Sequence, residues 1–248
     1  TIVSWDPSSK YVYVGILNRG QDHLKVNQYD ANDGSFIKTL FEEKSSSWVE
    51  PQHSLIFLPS HTKQFLYQTD KDGYNQLYHY DTDGKLIKHL GYKDVIVISF
   101  KGFDSKGNKA YYIGAHNNGL ERHLYEVDIR TGKTIQLTQE NGVHNASISP
   151  SGKYILDQYS NLHTPNKVQL INRKTNKLLT ILNAENPLAG TILQPKVEFK
   201  TLVSPDGNTP LNARITYPTN FDAKSKYPVM VYLYGGSHAQ MITDRWLG

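Results

Sequence analysis

The chain has no cysteine and only two methionines. Without cysteine there is no disulfide framework, no zinc–thiolate site and no thiol nucleophile. That absence suits the cytosol and a bacterial envelope compartment equally, so it leaves location open. Long apolar runs are also missing: none approaches the ~20 residues of a membrane-spanning helix. Apolar periodicity of helical length is absent from the first 182 residues. No glycine cluster opens a helix around a phosphate, since Gly102, Gly107 and Gly114 lie in strand-and-turn sequence. There is no block of one charge; the net +4 comes from scattered lysines. The densest pair, Lys224 and Lys226, reads as a solvated loop, so no nucleic-acid partner is expected. His116 and His123 lie seven residues apart with no third ligand at metal spacing, so neither a zinc site nor a cofactor is expected.

What is present favours strands. Tyrosine is abundant, at 17, and β-branched residues are frequent. The 248 residues allow one or two domains. Four segments repeat one layout: an apolar anchor, a turn rich in Pro, Ser, Gly or Lys, then three strand-like runs separated by a polar loop and a turn. The anchors are Trp5, Phe57, Phe103 and Ile148, spaced 52, 46 and 45 residues apart. The three runs of the first unit are Tyr11 to Leu17, Leu24 to Tyr29 and Ser35 to Leu40. Turns such as Asp81-Thr82-Asp83-Gly84 and Arg130-Thr131-Gly132 are hairpin chemistry, because glycine tolerates positive φ. A period near 45 with about four short strands per unit predicts β-propeller blades. Four blades are few for a ring, so part of a larger propeller is expected, with earlier blades before Thr1.

Residues 183–200 are polar and broken by Pro and Gly, and read as a crossing segment. Then come a strand from Lys196 to Val203, a turn at Pro205-Asp206-Gly207-Asn208, a strand from Leu211 to Tyr217, and a loop to Lys226. The run Val229 to Tyr234, breaking into Gly235-Gly236, reads as a buried strand ending in a tight loop. A buried strand needs neighbours on both sides, so the chain reads as a piece of a longer protein. The expected division is blades over 1–182, a crossing over 183–200, and the start of a second domain over 201–248. An open part-ring would expose edges and faces, so concentration-dependent aggregation is expected of the piece alone.

The order Ser204-Pro205-Asp206-Gly207, then Phe221 to Val229, then Tyr232-Leu233-Tyr234-Gly235-Gly236-Ser237-His238-Ala239-Gln240 resembles the start of the catalytic domain in the prolyl oligopeptidase superfamily. It is most similar to the bacterial dipeptidyl peptidase IV members. Trp48-Val49-Glu50-Pro51, Asp72-Gly73-Tyr74-Asn75-Gln76-Leu77-Tyr78 and Leu120-Glu121-Arg122-His123-Leu124-Tyr125 extend the resemblance into the blades. The resemblance implies a mainly β chain: about four blades of an eight-bladed propeller, followed by the first strands of an α/β hydrolase. It implies a parent serine exopeptidase that releases X-Pro or X-Ala dipeptides from peptide N-termini through a Ser-Asp-His triad. The partners would be peptides with penultimate Pro or Ala, the location periplasmic or secreted, and a homodimeric parent is compatible. The triad would lie beyond Gly248, which would leave this piece inactive. Two departures are Ser237, where the family usually has Pro, and Lys93-Asp94-Val95, where many members have Trp-Glu-Val.

By the same resemblance Tyr234 would donate its hydroxyl to the oxyanion; from residues alone the better reading is a strand-end aromatic packed under the loop. Gly235-Gly236-Ser237-His238-Ala239 nearly matches a nucleophile elbow, but the order Ser, Asp, His needs a His after the acid, and the residues after Ala239 offer Asp244 but no His, so Ser237 reads as a loop serine. Glu42-Glu43 invites comparison with the family's ammonium-binding Glu pair. In a Ser-rich loop between blades it reads as a solvated pair, and the true pair would precede Thr1. Glu121 and Arg122 could form an interblade pair, with a surface role as the default reading. No substrate-binding residue is assigned. Two alternatives stay open: a non-catalytic propeller that binds a partner, and an endopeptidase or acylaminoacyl peptidase of the same superfamily.

Overall fold

The computed structural model describes residues 2–92, 94–187, 189–236 and 238–247. It is mainly β. The first blade holds β1 (Val3–Trp5), β2 (Tyr11–Leu17), β3 (His23–Asp30) and β4 (Phe36–Lys44), an antiparallel sheet in sequential order. The second repeats it with β5 (Ile56–Phe57), β6 (Gln64–Thr69), β7 (Gln76–Asp81) and β8 (Leu86–His89). The third has β9 (Ile96–Phe103), β10 (Lys109–His116), β11 (Glu121–Asp128) and β12 (Thr134–Gln136). The fourth has β13 (Val143–Ile148), β14 (Tyr154–Ser160), β15 (Lys167–Asn172) and β16 (Lys177–Asn183). A separate hairpin pairs β17 (Val197–Val203) with β18 (Pro210–Thr216). The four anchors Trp5, Phe57, Phe103 and Ile148 are the last residues of β1, β5, β9 and β13.

The chain forms two compact units. One comprises Thr1–Gly114, Leu124–Leu137 and Ile148–Lys153; the other comprises Ala115–His123, Thr138–Ser147 and Tyr154–Gly248. In the first unit the cores lie between sheets. Phe65 and Tyr67 of β6 join Tyr13, Leu24 and Val26 in one cluster, while Leu66 between them joins Leu77, Tyr112 and Val127 in another. Successive side chains of a strand point to opposite faces, so the second blade is buried on both sides. Phe41 stacks on Tyr80 at 4.8 Å, and Tyr80 on Phe65 at 5.7 Å.

One device sets the third-to-fourth-strand turn in every blade. The last residue of the third strand is Asp30, Asp81, Asp128 or Asn172. Its side-chain oxygen accepts the backbone N–H two or three residues on, from Asn32 (2.8 Å), Asp83 (3.0 Å), Thr131 (2.6 Å) and Lys174 (3.0 Å). Such Asx turns satisfy a backbone donor locally and fix the hairpin register.

Gly34 and Gly84 occupy this turn in the first two blades, both at positive φ (75° and 87°). A Cβ on Gly34 would meet nothing within 4 Å, whereas one on Gly84 would clash with the backbone of Leu40. Gly84→Ala should therefore destabilise by about 2–4 kcal/mol, from strained φ plus overpacking against backbone. Gly34→Ala, with the strain alone, should cost about 1 kcal/mol. Denaturant midpoints of the two variants, read side by side, check the difference; equal losses would remove the close approach as the cause.

The structure corrects two expectations. Residues 228–236 form no strand, and Val229 to Tyr234 are exposed, Met230 at 95%. The run has the composition of a buried strand, but β17 and β18 pair only with each other. Among the described residues the run itself joins no sheet. Glu42 and Glu43 lie within β4, not in a loop, and alternate across it. Glu42 is the outer member, accepting from His23 at 2.7 Å with Lys25 and Lys44 beside it. Glu43 is 7% exposed; its Oε2 accepts from Thr69 at 3.0 Å and its Oε1 has no partner. Burial pushes its carboxyl pKa up. Even in a strand, the pair points to opposite faces and cannot grip one ammonium together.

Candidate functional site

The segment carrying Tyr234 belongs to the second unit. Its far end is fastened there. Asp244 N–H donates to the Leu120 carbonyl at 2.7 Å, and Asp244 Oδ1 accepts from Leu162 N–H at 2.7 Å. Trp246 N–H reaches Ser160 Oγ at 3.3 Å, and Thr243 is buried. The Gln240 amide lies over Gly119, where a Cβ would meet it at 2.9 Å. Gly119 has φ +85°, so both its conformation and its missing side chain are needed for this approach.

Tyr234 itself is 63% exposed. Its ring folds back over its own loop: a Cβ on Gly236 would meet Tyr234 Cζ at 2.7 Å. The second glycine thus lets the backbone pass beneath the phenol. Ser237 lies outside the described residues. Positive charge gathers along the fastened end. Arg214 Nη1 donates to the Arg245 carbonyl at 3.2 Å, and Arg122 is half-buried with its Nε unpartnered. Burial, then the charge of Arg245, pulls the Arg122 pKa down. The expected surface pairing of Arg122 with Glu121 is not what forms: Glu121 faces His123 Nε2 at 3.0 Å, while Arg122 turns inward. Adjacent residues of a strand point apart, which separates the two.

A buried polar ladder crosses the same unit. His144 on β13, Asp157 on β14 and Gln169 on β15 are all buried. His144 Nδ1 donates to both oxygens of Asp157, at 3.0 and 2.9 Å, and its Nε2 donates to the Glu140 carbonyl at 2.6 Å. Both ring nitrogens face acceptors, so the ring is an imidazolium. Burial alone would lower its pKa, but the hydrogen bond and charge of Asp157 and the carbonyl and charge of Glu140 raise it above the ordinary value. The His123 ring lies tilted beside it, centroids 5.0 Å apart, with its Nδ1 on Thr138 and its Nε2 on Glu121. Burial chiefly lowers the His123 pKa. Among the described residues no group of three or more side chains is arranged to hold a metal ion.

The dipeptidyl peptidase IV N-terminal region matches residues 1–166. A solved Bacteroides ovatus protein assigned as a dipeptidyl aminopeptidase IV superposes with a TM-score of 0.91 and 34% identity, covering 99% of this chain and 38% of that one. Porphyromonas gingivalis dipeptidyl peptidase 4 gives a TM-score of 0.82 over 98% of this chain and 34% of its own; at 24% identity it supports the fold alone. Dipeptidyl peptidase 4 of Trichophyton equinum is 25% identical over 93% of this chain and 30% of its own length. The chain thus spans about a third of the relatives it matches. With the matched region running from the first blade to β14 of the fourth, the chain belongs to the dipeptidyl peptidase IV family, whose N-terminal region its propeller blades represent.

Proposed function

We propose that this chain is part of a serine exopeptidase that releases dipeptides with penultimate Pro or Ala from peptide N-termini. The observation that carries the reading is the likeness to the Bacteroides ovatus protein across 99% of the chain. In this reading residues 1–182 are blades, 183–200 the crossing, and 201–248 the opening of an α/β hydrolase. Tyr234 donates its phenol hydroxyl to the carbonyl oxygen of the scissile bond as negative charge develops there. Its exposure leaves the hydroxyl open to such a ligand. The nucleophile, acid and base lie outside these residues, so the 248 residues alone should leave substrate intact. The intact enzyme acts outside the cytoplasm, as a homodimer.

The test uses Gly-Pro-p-nitroanilide and its N-acetylated form with the intact protein. Release of chromophore from the free-amine substrate only, blocked by a fluorophosphonate that labels one serine, is the expected result. Equal cleavage of the acetylated form would indicate an endopeptidase or acylaminoacyl peptidase instead. Failure to cleave either, or to label, would favour a binding propeller without catalysis.

A further inference from the structure

Three arginines gather at the fastened end of the segment that carries Tyr234, with too little negative charge to match them. On the peptidase reading, we propose that Arg122, Arg214 and Arg245 bind a carboxylate of the peptide substrate beyond its scissile bond, and so set a preference for acidic leaving portions.

Backbone bonds bring the three together. Asp244 N–H donates to the Leu120 carbonyl at 2.7 Å, which sets Arg245 beside the start of β11, where Arg122 stands. Arg122 N–H donates in turn to the Gly142 carbonyl at 3.0 Å. From the hairpin, Arg214 of β18 reaches the Arg245 carbonyl through Nη1 at 3.2 Å. Asn212 lies two residues earlier, on the same face of β18, and its Nδ2 donates to the Asn118 carbonyl at 2.9 Å. Three stretches of chain, 118–122, 212–214 and 244–245, are thus tied to one place.

The charges there do not balance. Among the described residues neither Arg122 nor Arg245 makes an ion pair, and Arg122 Nε meets no acceptor. Glu121, the neighbour of Arg122, faces His123 Nε2 at 3.0 Å instead. Asp244 is the carboxylate whose charge reaches the cluster. It acts on Arg214, while its Oδ1 already accepts from Leu162 N–H at 2.7 Å. Three guanidiniums against that one carboxylate leave two positive charges in excess. A guanidinium does not shed its proton in a protein, so it cannot relieve the repulsion that way. Burial, then the charge of Arg245, lowers the Arg122 pKa; burial lowers that of Arg214 against the pull of Asp244. An incoming carboxylate would supply the missing charge, and its two oxygens match the fork of a guanidinium.

The substrate class limits which carboxylate that is. The cleaved end of the peptide carries an ammonium, which the arginines would repel, and its second residue is an uncharged Pro or Ala. Acidic side chains after the scissile bond, or the C-terminus of a short peptide, remain. Arg245 shares its segment with Tyr234, the proposed donor to the scissile carbonyl oxygen.

The experiment gives the intact protein free-amine peptides Gly-Pro-Ala-Xaa-Ala-amide, with Xaa as Glu, Gln or Lys, beside Gly-Pro-p-nitroanilide. Xaa is also moved to the first and third positions after proline. Dipeptide release, followed by mass spectrometry, gives kcat/KM. At the best position Glu should exceed Gln about tenfold and Lys should fall below Gln, and added salt should shrink both differences. Arg245→Gln, an exposed change that keeps the backbone carbonyl for Arg214, should bring Glu and Gln close to equal. Arg122→Gln should do the same, while Arg122→Lys, which keeps the charge without the fork, should retain part of the preference. Equal kcat/KM for Glu and Gln at every position, with the anilide cleaved, overturns the carboxylate site and leaves the peptidase reading standing. No cleavage of the anilide removes that reading and this site with it. A Glu preference unchanged in both glutamine variants places the carboxylate elsewhere and overturns it too.

Discussion

Asp157→Ala should lower the stability of the folded chain by about 3–5 kcal/mol, the usual loss when one partner of a buried ion pair is removed. The wild-type carboxylate accepts from His144 through both oxygens and from Gln169 Nε2 at 3.2 Å. Both side chains of the ion pair are fully buried. Alanine would strand an imidazolium and an amide donor in an unhydrated interior. Asp157→Asn keeps the shape and one acceptor oxygen, and should lose less. Chemical denaturation near neutral pH separates the three proteins. A loss within about 0.5 kcal/mol of wild type, as for surface substitutions, would show that the ladder is not a support of this unit.

The same pair makes stability depend on pH. The groups facing His144 are Asp157, the Glu140 carbonyl and charge, His123 with Glu121 behind it, and Tyr159, over which Lys167 lies at 5.8 Å. The folded pKa of His144 is raised above its ordinary 6.5. A raised pKa means that the folded state holds the proton more tightly than the unfolded chain does. The contribution is complete below the unfolded value and is lost as pH rises through the folded one. Wild type should therefore weaken on the alkaline side of 6.5, whereas Asp157→Ala, without the carboxylate, should lose that slope.

How far this arrangement can be seen in the residues alone differs by element. The blades were legible because each unit repeats its own punctuation: an anchor, an Asp- or Asn-closed strand, and a glycine turn. The strand bounds from Tyr11–Leu17 to Lys177–Asn183 follow from that alternation. The first strands of the blades were visible only by their last residues; β1 and β5, at three and two residues, are too short to carry a period. The polar ladder was readable in principle. Inward positions of β14 are Ile155, Asp157 and Tyr159, and those of β13 are His144 and Ala146. A charged residue on the buried parity of two neighbouring strands signals a pair. Glu43 is buried in β4 as well, but a register shift opposite Val26 and Asn27 puts it out of step with buried Leu40, and the serines after it disguised the strand as a loop. The run from Val229 to Tyr234 failed for a different reason. Composition reports what a segment does beside partner strands, and no partner strand stands beside it among the described residues.

Tyr234→Phe in the intact enzyme should reduce kcat by about 10²–10³-fold, the usual effect of removing one oxyanion donor. The substitution keeps the ring that folds over Gly236 and removes only the hydroxyl, so loop shape and stability should be unchanged. A donor that acts only once charge has developed on the carbonyl oxygen affects kcat and kcat/KM alike, while KM stays near wild type. A packing role for the phenol would give a different result, with Phe close to wild type in rate and Ala impaired in both binding and stability. Ser237→Ala separates the remaining possibility. A loop serine beside the donor should tolerate alanine with little change in rate, whereas loss of a nucleophile would abolish acyl transfer outright. Near-wild-type turnover in Tyr234→Phe would remove Tyr234 from the chemistry, and with it the one residue through which this chain is proposed to reach the reacting bond.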